Sequence, residues 1–320
     1  MPVEPRFDLL VVGDLNPDVV VAGLPPRVRF GQREQLVPHG TLTVGGSAGI
    51  VACGAARLGL RTALVAVVGD DAAGRLLLAQ LAELHVETSG CLVTDAAPTG
   101  LTVCLVRGDD RAIVTAPGCV ARLDTATVDR DLLRAARHVH VASPFLQPLL
   151  AAGLRGLLDE ARAAGLGTSL DCNDDPTGVW DAGVQAALPA VDVLFANRRE
   201  TLALAGRRSA LGSALERLAA RGPLPVVKLG GHGAVTFRDG VATALPALPV
   251  ETVDAVGAGD GFAAGFLYGR LSGADPARCL ALGVACGSLS TRRRGGVDAQ
   301  ATSDEAEHGA DAVLAAARRA

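Results

Sequence analysis

The sequence predicts an α/β fold: a doubly wound, mainly parallel sheet flanked by helices, with a small β-sheet attached to it. Three observations carry this. Short, nearly continuous apolar runs of strand length recur along the chain, as expected of strands buried on both faces. Between residues 139 and 230 they alternate with helical segments, the pattern of parallel β-α units. Two stretches, about 19–44 and 99–116, instead read as short strands between proline and glycine punctuation, which suggests a separate small sheet. With 320 residues and 49% hydrophobic content, the chain (1–320) is expected to form one large domain with those two segments inserted.

Phe7 to Gly13 is the first buried strand. In such sheets the ligand-facing end is the C-terminal one, and there stand Asp14, Asn16 and Asp18, for which turn and cap chemistry is the competing reading. Val19 to Ala22 and Thr41 to Val44 are extended, with Pro25-Pro26 between them. Gly45-Gly46 opens a helix that runs to Gly59, followed by a strand from Thr62 to Val68 and a helix capped by Asp70 or Asp71. A glycine turn before a helix is a weak phosphate signal, and its spacing fits neither G-x-G-x-x-G nor the Walker A lysine pattern. Thr99 to Val106 and Arg111 to Thr115 are hairpin-like, joined by Gly108-Asp109-Asp110.

Strand-length runs then recur at 139–142, 166–171, 191–196 and 225–230, separated by helical segments near 148–164, 199–206 and 211–221. Polar groups fall at the strand ends: Asp171 and Asn173, Asn197 and Glu200, and Lys228. By themselves Asn197 and Glu200 read as an ordinary helix N-cap with an acid at the third position. Lys228 to Gly233 reads as a hairpin turn in which His232 is exposed. Cys279 to Leu289 should be a buried helix, and 304–320 an amphipathic terminal helix.

Composition narrows the function classes. The net charge is -4, and basic residues are scattered except for Arg292-Arg293-Arg294, so nucleic-acid binding has little electrostatic support. The arginine triplet reads as a solvated loop or, beside a glycine pair, as a contact to a nucleotide. Seven cysteines, odd in number and without a C-x-x-C pair, argue against a disulfide framework or a zinc site. The N-terminus lacks a basic start followed by an apolar core, and the apolar runs stop short of the roughly 20 residues that span a bilayer. A cytoplasmic protein without membrane or nucleic-acid partners is expected.

The most informative stretch is Thr252 to Gly269. Gly257 and Gly259 bracket Ala258 just before an apolar helical run, so consecutive N–H groups can converge at the positive end of a helix dipole and hold an anion. As a mere first-turn acid, Asp260 would stabilise that helix by about 0.3–1 kcal/mol. The second carboxylate, Asp254, and the room left by the glycines exceed what a cap needs. Gly257, Gly261, Gly265, Gly269 and Gly273 share one helical ridge, which predicts close approach of another backbone.

These residues resemble the PfkB carbohydrate kinase family, also called ribokinase-like. Asp254-Ala-Val-Gly-Ala-Gly-Asp260 is similar to its signature D-T-x-G-A-G-D, with Ala255 in place of threonine. The resemblance implies a ribokinase-like fold, Asp260 as the catalytic base, and Gly257, Ala258 and Gly259 as the anion hole. Gly13 to Asp18 is similar to the segment G-x-x-N-x-D, which implies that Asn16 and Asp18 bond acceptor hydroxyls. The block from Gly45 to Gly74 resembles the first signature, with Gly45 and Gly46 at the acceptor and Ile50 where relatives commonly have asparagine. Asn197 and Glu200 match N-x-x-E, implying that Glu200 helps hold magnesium-bound phosphates through water. Lys228, Gly230 and Gly233 belong to the strand and turn that receive the nucleotide. Asp254 would be the side-chain ligand of a monovalent cation such as K+, with the Arg292 to Gly296 loop nearby. The two extended segments would form a lid over the acceptor, often a homodimer contact in the family.

The implied function is Mg2+-dependent transfer of the γ-phosphoryl of ATP to a hydroxyl of a small sugar-like acceptor. The alternative within the family is a nucleoside kinase, with Ile50 and Phe145 as walls for a base. Outside enzymes stands a sugar- or nucleotide-binding regulator without turnover, kept open by Ile50 and Ala255. An NAD-dependent oxidoreductase ranks third, for want of a glycine fingerprint after strand one. Ile50 itself stays open between two readings. Either it faces an acceptor less hydroxylated there than ribose or fructose, or it turns into helix packing. Ala142, before Ser143-Pro144, favours the first, since ribose-directed relatives often have an acid there.

Overall fold

The computed structural model describes residues 5–107, 110–206 and 210–319. The first strand, β1 (Leu9–Val12), is wholly buried within an eight-stranded sheet. Its residues alternate between two apolar layers, Leu9 and Val11 into one and Leu10 and Val12 into the other. The chain then leaves this sheet. β2 (Asn16–Ala22) pairs antiparallel with β3 (His39–Gly45), and α1 (Ser47–Arg57) returns the chain to β4 (Thr62–Val65), parallel to β1.

The strand expected from Thr62 to Val68 is divided at Ala66. β5 (Val67–Gly69) turns away to form a two-stranded sheet with β6 (Leu92–Thr94), after Leu92 N–H donates to the Ala66 carbonyl at 2.9 Å. Between them lies α2 (Ala72–Glu83), capped by Asp71, which accepts from Gly74 N–H at 2.8 Å. β7 (Leu101–Arg107) and β8 (Asp110–Ala116) complete the separate small sheet, of order β3-β2-β7-β8. Gly108 and Asp109 of the expected turn lie outside the described residues.

After α3 (Arg130–Arg134) come β9 (His138–Ala142), α4 (Pro148–Ala163), β10 (Gly167–Asp171), α5 (Val184–Ala187), β11 (Val193–Asn197), α6 (Arg198–Leu204), α7 (Leu211–Ala219) and β12 (Leu224–Lys228). β4, β1, β9, β10, β11 and β12 lie side by side and parallel, and β13 (Ala234–Arg238) and β14 (Val241–Leu245) add an antiparallel edge. Because β1 has β4 on one side and β9 on the other, the winding direction reverses there. A crevice opens at the C-terminal ends of the strands. Among the described residues no helix is long and apolar enough to cross a membrane.

The last helices are α8 (Ala258–Leu271), α9 (Pro276–Ser290) and α10 (Ser303–Ala317). The glycine ridge of α8 faces α9: a Cβ at Gly265 would sit 2.6 Å from the Cys286 sulfur and from the Leu282 carbonyl oxygen. Gly273 departs from that expectation. Its φ of +77° ends the helix, with Ala274 N–H donating to Gly269 O at 2.9 Å and Gly273 N–H to Arg270 O at 3.2 Å. That is a left-handed C-terminal stop, which spacing alone does not distinguish from a packing position.

Candidate active site

The start of α8 is the focus of the site. Gly257 adopts φ 72°, and a Cβ there would lie 2.5 Å from Gly296 Cα, so conformation and space both require glycine. The turn is closed by Ala258 N–H, which donates to the Ala255 carbonyl at 3.3 Å. Asp260 follows in the first turn, 9% exposed, and its carboxylate accepts a hydrogen bond from the Ser47 hydroxyl. Ser47 begins α1, so residues 213 apart in sequence bring the two glycine motifs into contact.

A buried carboxylate organises the start of α1 from another element. Asp14, at the end of β1, accepts the Ser47 and Ala48 N–H groups at 3.1 Å each. Gly46 (φ 75°) leaves no room for a side chain above the Asp14 carbonyl, and a Cβ at Gly45 would overlap the Asp18 carboxylate. Asn16 turns its amide to Asp18 Oδ1 at 3.0 Å and to the Thr102 hydroxyl at 3.1 Å. The structure thus brings Asn16, Asp18, Gly45 and Gly46 together at the turn before Ser47, which itself reaches Asp260. Ser47 and Thr102 were not singled out from sequence, since each depends on a contact between distant elements; Asp14 takes the cap chemistry that was its competing reading, at the start of α1.

Burial dominates the electrostatics. It pushes the Asp260 carboxyl up to about 7, helped by the Asp171 charge and opposed by Lys228 and the Ser47 hydrogen bond. Burial and then the Asp14 charge push Asp18 to about 7 as well, against the Asn16 hydrogen bond. Lys228, at the end of β12, donates to Asp171 Oδ2 at 2.6 Å, with side chains 14% and 0% exposed. Burial alone would lower the lysine pKa, but Asp171, Glu200 and Asp260 together hold it above its ordinary value. A Cβ at Gly259 would be 3.0 Å from the ammonium nitrogen, which therefore sits beside the turn that opens α8.

Beyond Lys228 opens a cavity of about 490 Å³, lined by Gly230, Gly233, Gly259 and the apolar Leu248, Val250 and Val284 among others. Its volume and mixed lining fit a nucleotide. Gly233 (φ +87°) keeps the turn clear where a Cβ would overlap the Leu245 carbonyl. Asn197 and Glu200 do not line that cavity; they form the capping box of α6, with Glu200 N–H on Asn197 Oδ1 at 3.0 Å and Asn197 N–H on Glu200 Oε2 at 2.7 Å. Glu200 is nonetheless buried within the field of Lys228 and Asp171. Asp254 accepts Val256 N–H and Gly295 N–H, both at 3.0 Å. Ile50, 3% exposed, lies against Gly296 and so backs the turn at Gly257. Phe145 meets Trp180 edge to face at 5.5 Å between ring centres.

The family model for pfkB family carbohydrate kinases matches residues 6–302. The chain belongs to that family. This pfkB kinase is 34% identical over 254 residues to the ATP-dependent ribose-1-phosphate kinase of Halopiger xanaduensis, covering 78% of this chain and 81% of that protein. It is 32% identical over 272 residues to the 2-dehydro-3-deoxygluconokinase of Bacillus subtilis, covering 80% and 82%. A nucleoside kinase of Methanothermobacter thermautotrophicus is 31% identical over 240 residues, covering 73% and 74%. The fold matches Arabidopsis thaliana ribokinase complexed with ribose and ATP, with a TM-score of 0.81, 22% identity and coverage of 95% and 99%. It also matches a ribokinase-like protein from E. coli in complex with ATP and Mg2+, at a TM-score of 0.84, 23% identity and coverage of 96% and 99%. The pfkB kinase is accordingly a sugar or nucleoside kinase, a phosphotransferase acting on a hydroxyl.

Proposed function

We propose that the enzyme transfers the γ-phosphoryl of ATP to a hydroxyl of a small sugar-like acceptor, with Asp260 as general base. The observation that carries this is the hydrogen bond from the Ser47 hydroxyl to Asp260. A hydroxyl already donates to the proposed base, from the turn where the acceptor is expected. A carboxyl poised near 7 both accepts a proton and releases it at neutral pH. Asn16 and Asp18 orient the acceptor, while the 257–259 amides and the Lys228 ammonium face the charge that develops on the phosphoryl oxygens. Glu200, buried in the field of Lys228 and Asp171 and held by Asn197, would hold Mg2+ through water, and Mg2+ would supply charge neutralisation there. Asp254 keeps lone pairs beyond its two N–H bonds for a monovalent cation, K+ in this reading.

The acceptor is read as a sugar rather than a nucleoside because Ile50 and Phe145 are occupied by packing against Gly296 and Trp180. We test this by ADP release with Mg-ATP, with and without K+, across sugars, sugar acids, sugar phosphates and nucleosides. Turnover of a sugar-type acceptor is expected. Best turnover of a nucleoside would overturn the acceptor class, and none with any hydroxyl compound would overturn the reading.

The small sheet is the proposed lid, inserted in one domain and excluding water from transfer. Its register places Leu42, Val19, Val103 and Val114 in one row across the strands, with Leu42 and Val114 53% and 61% exposed. That apolar row supports a homodimer through the lid. Light scattering should give a dimer mass that Val114→Asp reduces to a monomer; a wild-type monomer would contradict it.

A further inference from the structure

The Arg292-Arg293-Arg294 triplet is not used by the chemistry above, yet it lines a second cavity. This cavity, of about 400 Å³, lies between the lid strand β3 and the loop after α9; His39, Thr41, Val253 and Asp298 also contribute to its walls. It shares no lining residue with the nucleotide cavity. We propose that it binds a small phosphomonoester.

Charge and geometry point to that class. Arg292 is held in place by Glu305 at 3.0 Å and by the Leu289 carbonyl at 2.9 Å. Among the described residues, Arg293 and Arg294 have no carboxylate within 4.0 Å, although the chain carries a net charge of -4. With Arg292 paired to Glu305, the Arg293 and Arg294 guanidinium groups face the single lining carboxylate, Asp298, and leave a cationic recess, which concentrates anions. The planar fork of arginine matches phosphate oxygens in paired, charge-assisted hydrogen bonds, which a halide cannot use and a neutral sugar makes without the opposite charge. The volume falls within the range of small-molecule sites.

The recess also has a mechanical connection to the catalytic turn. Gly295 N–H binds Asp254, Thr43 of β3 packs on Gly295, and Gly296 abuts Gly257. An occupant touching β3 and Arg293 or Arg294 would tie the lid to the loop that backs the anion hole. It would thereby report on, or bias, lid closure.

Calorimetric titration of the full chain tests the site, with glycerol 3-phosphate and inorganic phosphate as probes and the nucleotide cavity saturated with a non-hydrolysable Mg-ATP analogue. Glycerol 3-phosphate is expected to bind more tightly than phosphate. The double variant Arg293→Gln/Arg294→Gln should weaken it by about tenfold or more, with an unchanged melting temperature. Asp18→Asn, which alters the proposed acceptor pocket, should leave it intact. Equal or tighter binding of phosphate overturns the monoester assignment. Binding insensitive to the arginine substitutions, binding lost in Asp18→Asn, or no binding up to about 10 mM overturns the site. None of these outcomes depends on turnover, so the test is independent of the proposed reaction.

Discussion

At the scale of single residues, the pairing of Lys228 with Asp171 is the most exposed part of the account. Two charges in a site this dry are stable only together. Lys228→Met should leave Asp171 uncompensated and cost about 3–5 kcal/mol in urea unfolding. Its kcat should fall about a hundredfold for want of positive charge at the proposed anion hole. Adding Asp171→Asn should restore much of the stability and none of the rate; recovery of rate would remove Lys228 from the chemistry. The main site motif was legible in sequence because Gly257, Ala258, Gly259 and Asp260 are contiguous. The Ser47 hydroxyl on Asp260 was not, and cap chemistry was legible at Asp14 but not that it would cap α1, because each contact joins separate segments. Asn197 and Glu200 form the ordinary cap that their spacing suggests, and their proposed metal role rests on burial and family resemblance.

At the scale of elements, α8 and α9 approach through the glycine ridge. Gly265→Ala would force a methyl against the Leu282 carbonyl and Cys286, where the backbone cannot yield, so a loss of about 1–3 kcal/mol is expected despite alanine's better helix propensity. Thermal melts that show no loss would mean the helices can part at no cost. The four-residue period gave this ridge away. It did not reveal that Gly273 is a stop, because position relative to a helix end is set by where the chain turns. Similarly, Thr62 to Val68 reads as one apolar strand. Its division at Ala66 depends on β6, a partner more than twenty residues away. Ile50 belongs to this scale too: its side chain backs Gly296.

At the scale of the whole molecule, the parallel sheet and its crevice were legible from apolar runs with polar ends, and the small sheet from its turn punctuation. The crevice gathers Asp14, Asp18 and Asp260, whose carboxyls burial drives upward. Stability should reflect this. A carboxyl at about 7 in the fold, against 3.8 as its ordinary value, keeps its proton on folding, so stability declines as pH rises from about 4 to about 7 and the penalty is complete above that. Asp18→Asn should remove up to about 4 kcal/mol of it, raising Tm by roughly 3–6 °C at pH 8 and by progressively less toward pH 4. A Tm gain independent of pH would show that Asp18 is ionised throughout.

The central claim is that Asp260 takes the proton, and it is tested most directly by measuring Mg-ATP affinity and acceptor-dependent ADP release on the same preparation of Asp260→Asn. The amide keeps the size of the side chain and its place beside Ser47 but cannot act as a base. Nucleotide affinity within about twofold of wild type is expected, with turnover reduced by about a hundredfold or more. Turnover near the wild-type rate with intact nucleotide binding would contradict it.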